Sequence, residues 1–233
     1  MITSKELNLA NCLHLIDYHK EKYPNKFHDT DDFTIIGCRG HYLDSEGRKG
    51  RNDRNILDDL IIGVNRKTGF YLGVKGNVDP SFEKHRQTGR PLAALNLGVL
   101  RFYRGDHKGE YFAFRPFPEG VSLPCTRCGA PSMCANTNLH GCADHVDGNG
   151  YDTWSEGCLT MPVTYFKNTF RPLCYEQIEK HHGTVAAVPN LRKLGSKNFD
   201  VKGTKHFPLI LVEKREVSAG VTRIFAANGE PIF

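Results

Sequence analysis

The sequence has little that would mark a membrane protein, a repeat protein or a disordered chain. None of its apolar runs approaches the about 20 residues that a helix needs to cross a bilayer. No internal repeat and no low-complexity segment is present. The N-terminus, MITSKELNLANCLHLIDYHKEKYPNK, has neither an apolar h-region nor a small-residue cleavage site, so no secretory signal is predicted there. Nucleic-acid fold motifs are missing too. Lys and Arg are dispersed, apart from the cluster GRKGRNDR at 47 to 54, which reads as a solvated loop, and no specific nucleic-acid partner is expected. An HExxH-type ligand spacing is absent, which leaves a zinc hydrolase built on His41, His107 and His140 without sequence support.

What is there is the composition of an ordinary globular domain. Hydrophobic residues make up 39% and charged residues 24%, and 233 residues suffice for one substantial core, so residues 1–233 are read as a single domain. The net charge of +5 implies a mildly basic surface suited to polyanions, including nucleic acid or anionic cell-wall polymers.

Eight cysteines raise the question of redox state. In a chain without an export signal the expected compartment is the reducing cytoplasm, which favours free thiols or metal ligation. Four cysteines fall in CTRCGAPSMCANTNLHGC, read as a Cys-rich loop insertion over 120–145. Cys125 and Cys128 form a C-x-x-C half of a zinc knuckle, and Cys134 and Cys142 would complete a four-thiolate structural zinc site. A disulfide made after release into an oxidising space, or unpaired thiols in a tight loop, are the competing readings.

The pattern along the chain is mainly β. An N-terminal helix within residues 1–25, spanning 5 to 23, is predicted from Leu7, Leu9, Ala10, Leu13, Leu15 and Ile16, with Pro24-Asn25 as its stop. Runs at 33–40, 59–65, 69–76, 95–105 and 111–117 are strand-like, with NRKTG as a hairpin turn. Their cadence predicts an antiparallel β-sandwich or barrel. Pro162 opens a second helix carrying Tyr165, Phe166, Phe170, Leu173, Cys174 and Ile178, with a break near Arg171 caused by Pro172 and a stop at Gly183. HFPLILVEK at 206 to 214 reads as a central strand, VTRIFAA as an edge strand, and 190 to 205 as a surface loop.

Chemistry concentrates in LHGCADHVDGNGYDTWSEGCLTMP. Cys158 is a candidate nucleophile and His140 a candidate base, since a thiol attacks as thiolate and an imidazole in reach generates one near neutral pH. Gly157 is expected to let a substrate carbonyl approach the N–H groups beside Cys158, which would hold the oxyanion. Trp154 is expected to pack beneath the nucleophile strand, and Asp144 and His145 are read as loop residues.

This frame resembles the L,D-transpeptidase catalytic domain, the YkuD-like family of cell-wall enzymes, whose signature is His-Gly, a loop, and Ser/Thr-His-Gly-Cys, an apolar residue and Arg. Cys158 matches the nucleophile, His140 the base, Gly141 the residue after it, and Ser155 and Gly157 the framing residues. Glu156 stands in place of a second His, and Thr160 in place of the Arg that helps hold substrate. The resemblance implies a YkuD-like β fold, no cofactor in catalysis and attack on peptidoglycan stem peptides. With Thr160 at that position it implies lysis rather than cross-linking, as in a phage-encoded endolysin-like protein made in the cytoplasm and acting at the wall after release or from a virion. Substrate contacts are expected from His107, Arg39, Gly141 and Trp154. His41, Asp58, Asp59, Asn77 and Asp79, in loops after predicted strands, are secondary candidates that otherwise read as turn formers or solvated charges. A zinc-stabilised binding or structural module, for instance of a phage particle, is the alternative.

Overall fold

A computed structural model describes residues 7–40, 57, 59–80, 89, 91–107, 111–118, 120–142, 155–182 and 206–213. The expectations for His41, Asp58, Asp144, His145, Trp154, Gly183, the basic cluster, the 190–205 loop and VTRIFAA lie outside the described residues.

Eleven strands are described: β1 (Phe33–Arg39), β2 (Asp59–Asn65), β3 (Phe70–Gly76), β4 (Ala93–Leu95), β5 (Gly98–His107), β6 (Tyr111–Pro116), β7 (Leu123–Arg127), β8 (Ala130–Cys134), β9 (Leu139–Cys142), β10 (Leu159–Pro162) and β11 (His206–Glu213). Eight of them form one sheet in the order β10-β9-β6-β5-β11-β1-β2-β3, and β4-β7-β8 form a small second sheet. The protein is therefore mainly β, as predicted. The large sheet curls until its edges meet: Asn77, next after β3, exchanges two backbone hydrogen bonds of 2.7 and 2.8 Å with Thr160 of β10. A nearly closed barrel results, which removes the exposed edges of an open sheet.

The sheet is not wholly antiparallel. β1 runs parallel to β11, and β9 parallel to β10. Parallel neighbours need a long connection, and the Gly/Asp-rich stretch between Cys142 and Cys158 supplies one. The predicted loop insertion at 120–145 is instead largely strand, comprising the β7–β8 hairpin and β9.

β1, β2 and β11 are buried along almost their whole length. One face, with Ile35, Ile61, Leu209 and Leu211, looks into the barrel, and the other, with Ile36, Leu60, Ile62, Ile210 and Val212, is covered by the N-terminal helix. Strands buried on both faces read as continuous apolar runs, which is why no clean alternation marks them in the sequence.

Helix α1 (Leu9–Lys22) starts where the Asn8 side chain accepts from the Asn11 N–H at 2.9 Å, and His19, Lys20 and Lys22 favour its C-terminal dipole. Its buried stripe is Cys12, Leu15, Ile16 and His19, the i, i+3, i+4, i+7 set. Of the predicted stripe, Leu15 and Ile16 belong to it, Leu9 and Leu13 sit at its margin, and Leu7 is buried ahead of the helix.

After β10 the chain turns helical as α2 (Val163–Tyr165), a π turn (Phe166–Phe170) and α3 (Arg171–His182). Phe166, Phe170, Cys174 and Ile178 all enter the interior core. A strict four-residue row drifts by about 40° per step in an α-helix, and the wider π turn takes up part of that drift. It also sits where Pro172, lacking an N–H, would fail to bond Asn168. The predicted break is thus a bulge. The NRKTG turn is as expected: Asn65 Oδ1 accepts from the N–H groups of Lys67 and Thr68, and Thr68 Oγ1 donates to Gln177 Oε1 of α3 at 2.8 Å.

Closure depends on Gly76. A Cβ there would lie 2.6 Å from Ile61 Cδ1 and 2.7 Å from Thr160 O. Gly76→Ala is expected to cost about 2–3 kcal/mol, seen as a lower urea midpoint; an unchanged midpoint would show that the seam tolerates a methyl group.

Candidate functional site

The barrel wall brings three reactive side chains together. Cys158 immediately precedes β10, and the parallel register Thr160↔His140 places it beside β9. His107 closes β5, with β6 between it and β9. The pairs Gly105↔Ala113 and Phe114↔Leu139 put Ala113 on the face of His140, opposite the interior side chains Phe114 and Leu139. Ala113 is too small to keep the imidazoles apart, and the His107 and His140 ring centroids lie 4.9 Å from each other. Ligand-type atoms of His107, His140 and Cys158 all lie within 4.8 Å of one another. Tyr111 stacks on His107 at 5.0 Å and meets His140 edge-on at 5.6 Å.

Each group is oriented by its backbone surroundings. His140 Nδ1 lies 2.8 Å from the carbonyl oxygen of Gly141. A carbonyl can only accept, so Nδ1 carries the proton and Nε2 keeps the lone pair of a base. The Asn138 N–H points at Cys158 Sγ at 3.3 Å, while the thiol faces Asn136 O at 3.7 Å. An N–H aimed at sulfur stabilises negative charge there. The Asn138 side-chain amide, itself buried, lies 2.7 Å from His107 Nδ1 and fixes that ring. Asn138 and Tyr111 were not legible as site residues, because an Asn ahead of an apolar strand and a Tyr at a strand start carry no local signature.

The framing residues act differently from expectation. Ser155 Oγ donates to Cys158 O at 2.7 Å and accepts the Gly157 N–H at 3.0 Å. That N–H is therefore committed inside the turn and is not the expected oxyanion donor. Gly157 is needed for another reason: a Cβ would lie 2.8 Å from Ala93 O, where β4 packs against the turn. The Ala93 N–H donates to Glu156 O at 2.9 Å across the same contact.

The four-thiolate zinc site is not assembled. Cys125 and Cys134 are bonded to each other as a disulfide, Cys128 is exposed at the hairpin turn, and Cys142 is buried in β9 of the large sheet. Among the described residues, the cluster that could hold a metal ion is His107, His140 and Cys158, a nitrogen and sulfur donor set of the zinc type.

Arg39, expected to touch substrate, makes an ion pair with Asp79 at 3.1 Å and donates to the Leu95 carbonyl of β4. Asp59 accepts from the N–H groups of Gly40 and Val78, both at 2.6 Å. Asn77 closes the barrel, so Arg39, Asp59, Asn77 and Asp79 form a structural latch. Thr160 is fully buried and cannot replace the substrate-holding Arg. Cations appear instead in a pocket of about 540 Å³ beside His140, lined by Lys167 and Arg171 together with Tyr111, Phe112, Gly141 and Phe166. Arg171 lies 4.4 Å over the Phe112 ring.

Comparison with protein-family models, curated proteins and solved structures gives no match.

Among the described thiols outside the disulfide, Cys158 is half-exposed and Cys128 exposed; Cys12, Cys38, Cys142 and Cys174 are buried. Iodoacetamide at neutral pH is expected to modify Cys158 and Cys128 among these, and His140→Gln to slow the Cys158 reaction about ten- to hundredfold. Peptide mapping by mass spectrometry reads both, and an unchanged rate in His140→Gln would remove His140 from the thiol's chemistry.

Burial pushes the Cys12 thiol from 9.0 up to about 12, and raises Cys174 in the same direction. A raised folded-state value means that each of these thiols stabilises the fold fully below about pH 9 and that this stability is lost as pH rises above it, for Cys12 as pH climbs toward about 12. Urea midpoints are expected to fall over that interval, and Cys12→Ala to be less stable at pH 8 but to decline less steeply. Parallel declines would exclude Cys12 as a cause.

Proposed function

We propose that the chain is a cysteine acyl-transfer enzyme of L,D-transpeptidase-like, YkuD-like type, acting on peptidoglycan stem peptides and chiefly hydrolysing them. The observation that supports it is the meeting of Cys158 with an imidazole, His140, whose Nδ1 faces a carbonyl oxygen, which puts the proton on that nitrogen and the basic lone pair on Nε2.

In this reading the Cys158 thiol gives its proton to His140 Nε2 and the thiolate adds to a peptide carbonyl. Collapse of the adduct breaks the C–N bond, His140 returns the proton to the leaving amine, and a thioester remains on Cys158. Water resolves the thioester in hydrolysis, an amine in cross-linking. His107, held by Asn138, is the second polar wall of the thiol. The pocket with Lys167 and Arg171 offers cationic contacts for the carboxylates of a stem peptide, a role that position 160 does not fill. The preference for hydrolysis rests on the same difference at 160. An endolysin-like protein that reaches the wall through another factor's pore, or within a virion, would fit this chemistry. No described helix is long and apolar enough to cross a membrane.

The same three side chains favour one second reading, a zinc-dependent hydrolase in which Cys158 is a ligand. Mass spectrometry of muropeptides separates the two. The thiol reading expects a cut peptide bond with wild type, no cut with Cys158→Ala, and full activity in chelator. Activity that chelator abolishes, with stoichiometric zinc lost in Cys158→Ala and His140→Ala, would establish the metal reading instead, and muropeptides untouched by wild type would remove the cell-wall substrate.

A further inference from the structure

The nucleophile is held between two pieces of backbone that are covalently stapled to each other. On one side, β4 donates from Ala93 N–H to Glu156 O and packs against Gly157. β4 pairs with β7 in the register Leu95↔Cys125. On the other side, the segment after Cys134 supplies Asn136 O and Asn138 N–H to Cys158 Sγ, and its Asn138 side chain to His107. Two residues further along, it delivers His140. Cys125 and Cys134 are the disulfide. Both walls of the thiol site therefore end on one S–S bond.

β4 and β7 reach the interior core through Ala93, Leu95, Leu123 and Cys125, but the outer strand β8 has little else to hold it. β4 has three residues, and β8 is paired with β7 alone. β8 carries exposed or half-buried side chains from Ala130 to Met133, and Cys134 is its one buried residue. A strand held only by a two-stranded hairpin is marginal by itself, so the disulfide is what ties β8, and the segment that follows it, to the core-anchored β7.

We infer that the Cys125–Cys134 disulfide is the positioning element of the Cys158 site and that its reduction switches the site off. The inference rests on Cys158 being the reactive thiol. In the switching step a dithiol reductant attacks one sulfur as thiolate, passes through a mixed disulfide and closes its own ring. Two electrons and two protons are transferred, one S–S bond breaks in the protein, and the two thiols of Cys125 and Cys134 form. The β7–β8 hairpin then loosens, Asn136 and Asn138 withdraw from Sγ, and Cys158 loses its N–H donor. In a compartment rich in dithiols the enzyme is held inactive, and arrival in an oxidising space completes the site. No local pattern signals this switch: the β7–β8 hairpin joins Cys125 to Cys134, and β4 together with the Asn136–Asn138 segment brings that pair to the Cys158 site.

The test uses Cys128→Ser protein, in which iodoacetamide labelling of Cys158 is followed by peptide mapping before and after treatment with dithiothreitol. Breakage of the Cys125–Cys134 bond is verified by the masses of the same peptides. The expected result is an about tenfold slower reaction at pH 7 after reduction, with the midpoint of its pH dependence moving toward the about 8.5 of an unassisted thiol. Cys125→Ala/Cys134→Ala should show the slow rate with and without dithiothreitol; if that variant fails to fold, the reduction series decides alone. An unchanged rate and midpoint after verified reduction overturns the coupling and leaves the cysteine reading standing. A Cys158 already inert in the oxidised protein overturns both.

Discussion

The structure depends on the seam between Asn77 and Thr160. Two backbone hydrogen bonds join the last strand of the sheet to the first, and without them β10 would be an edge of four residues held only by β9. Because Cys158 directly precedes β10, the position of its thiol is set by barrel closure. The residues around the seam are arranged to secure it. Asp59 takes the N–H of Val78, Asn77 Oδ1 takes that of Asp79, and Arg39 ties Asp79 to β4. Side chains that read as loop charges are in fact the latch, and buried charge of this kind is sustained only where such partners converge.

The site itself lies on the wall of the barrel, away from its apolar interior. Leu139 and Phe114 fill the core, and the alternating positions carry His140 and Ala113 outward. Strand period two therefore serves packing and chemistry at once, with the core residues on one face locking the register of the reactive ones on the other. The small β4-β7-β8 sheet adds what the barrel lacks. It braces the Glu156–Gly157 turn from behind and sends the Asn136–Asn138 segment across the sulfur.

Several features were legible in the sequence because they are local. The strand runs, the Asn65–Gly69 turn, the helix stop near Pro24, the central place of 206–213 and the nearness of His140 to Cys158 all rest on residues close together in the chain. The predicted helix break was legible as a consequence of Pro172, although its form, a π turn that also keeps Phe166, Phe170, Cys174 and Ile178 on one face, depends on the core they enter. What misled was also local reasoning. C-x-x-C spacing suggested a zinc knuckle, but the β7–β8 register, with Leu123 opposite Cys134 and Cys125 opposite Ser132, makes Cys125 and Cys134 diagonal neighbours on one face, while Cys142 belongs to the other sheet. Gly157 next to a nucleophile suggested an oxyanion donor, but its N–H belongs to Ser155.

The sequence by itself determined the mainly-β character, the helices and the presence of a thiol and an imidazole as candidate reactive groups, since these follow from residue type and short-range period. Only the tertiary structure decided that the sheet closes, that His107 and Asn138 join the thiol from distant segments, and that Cys125 and Cys134 pair. The first two are contacts between residues far apart in the chain, and the third, across nine residues, depends on the register of the β7–β8 hairpin; strand register and the core beneath fix all three, and residue type and spacing alone do not encode them.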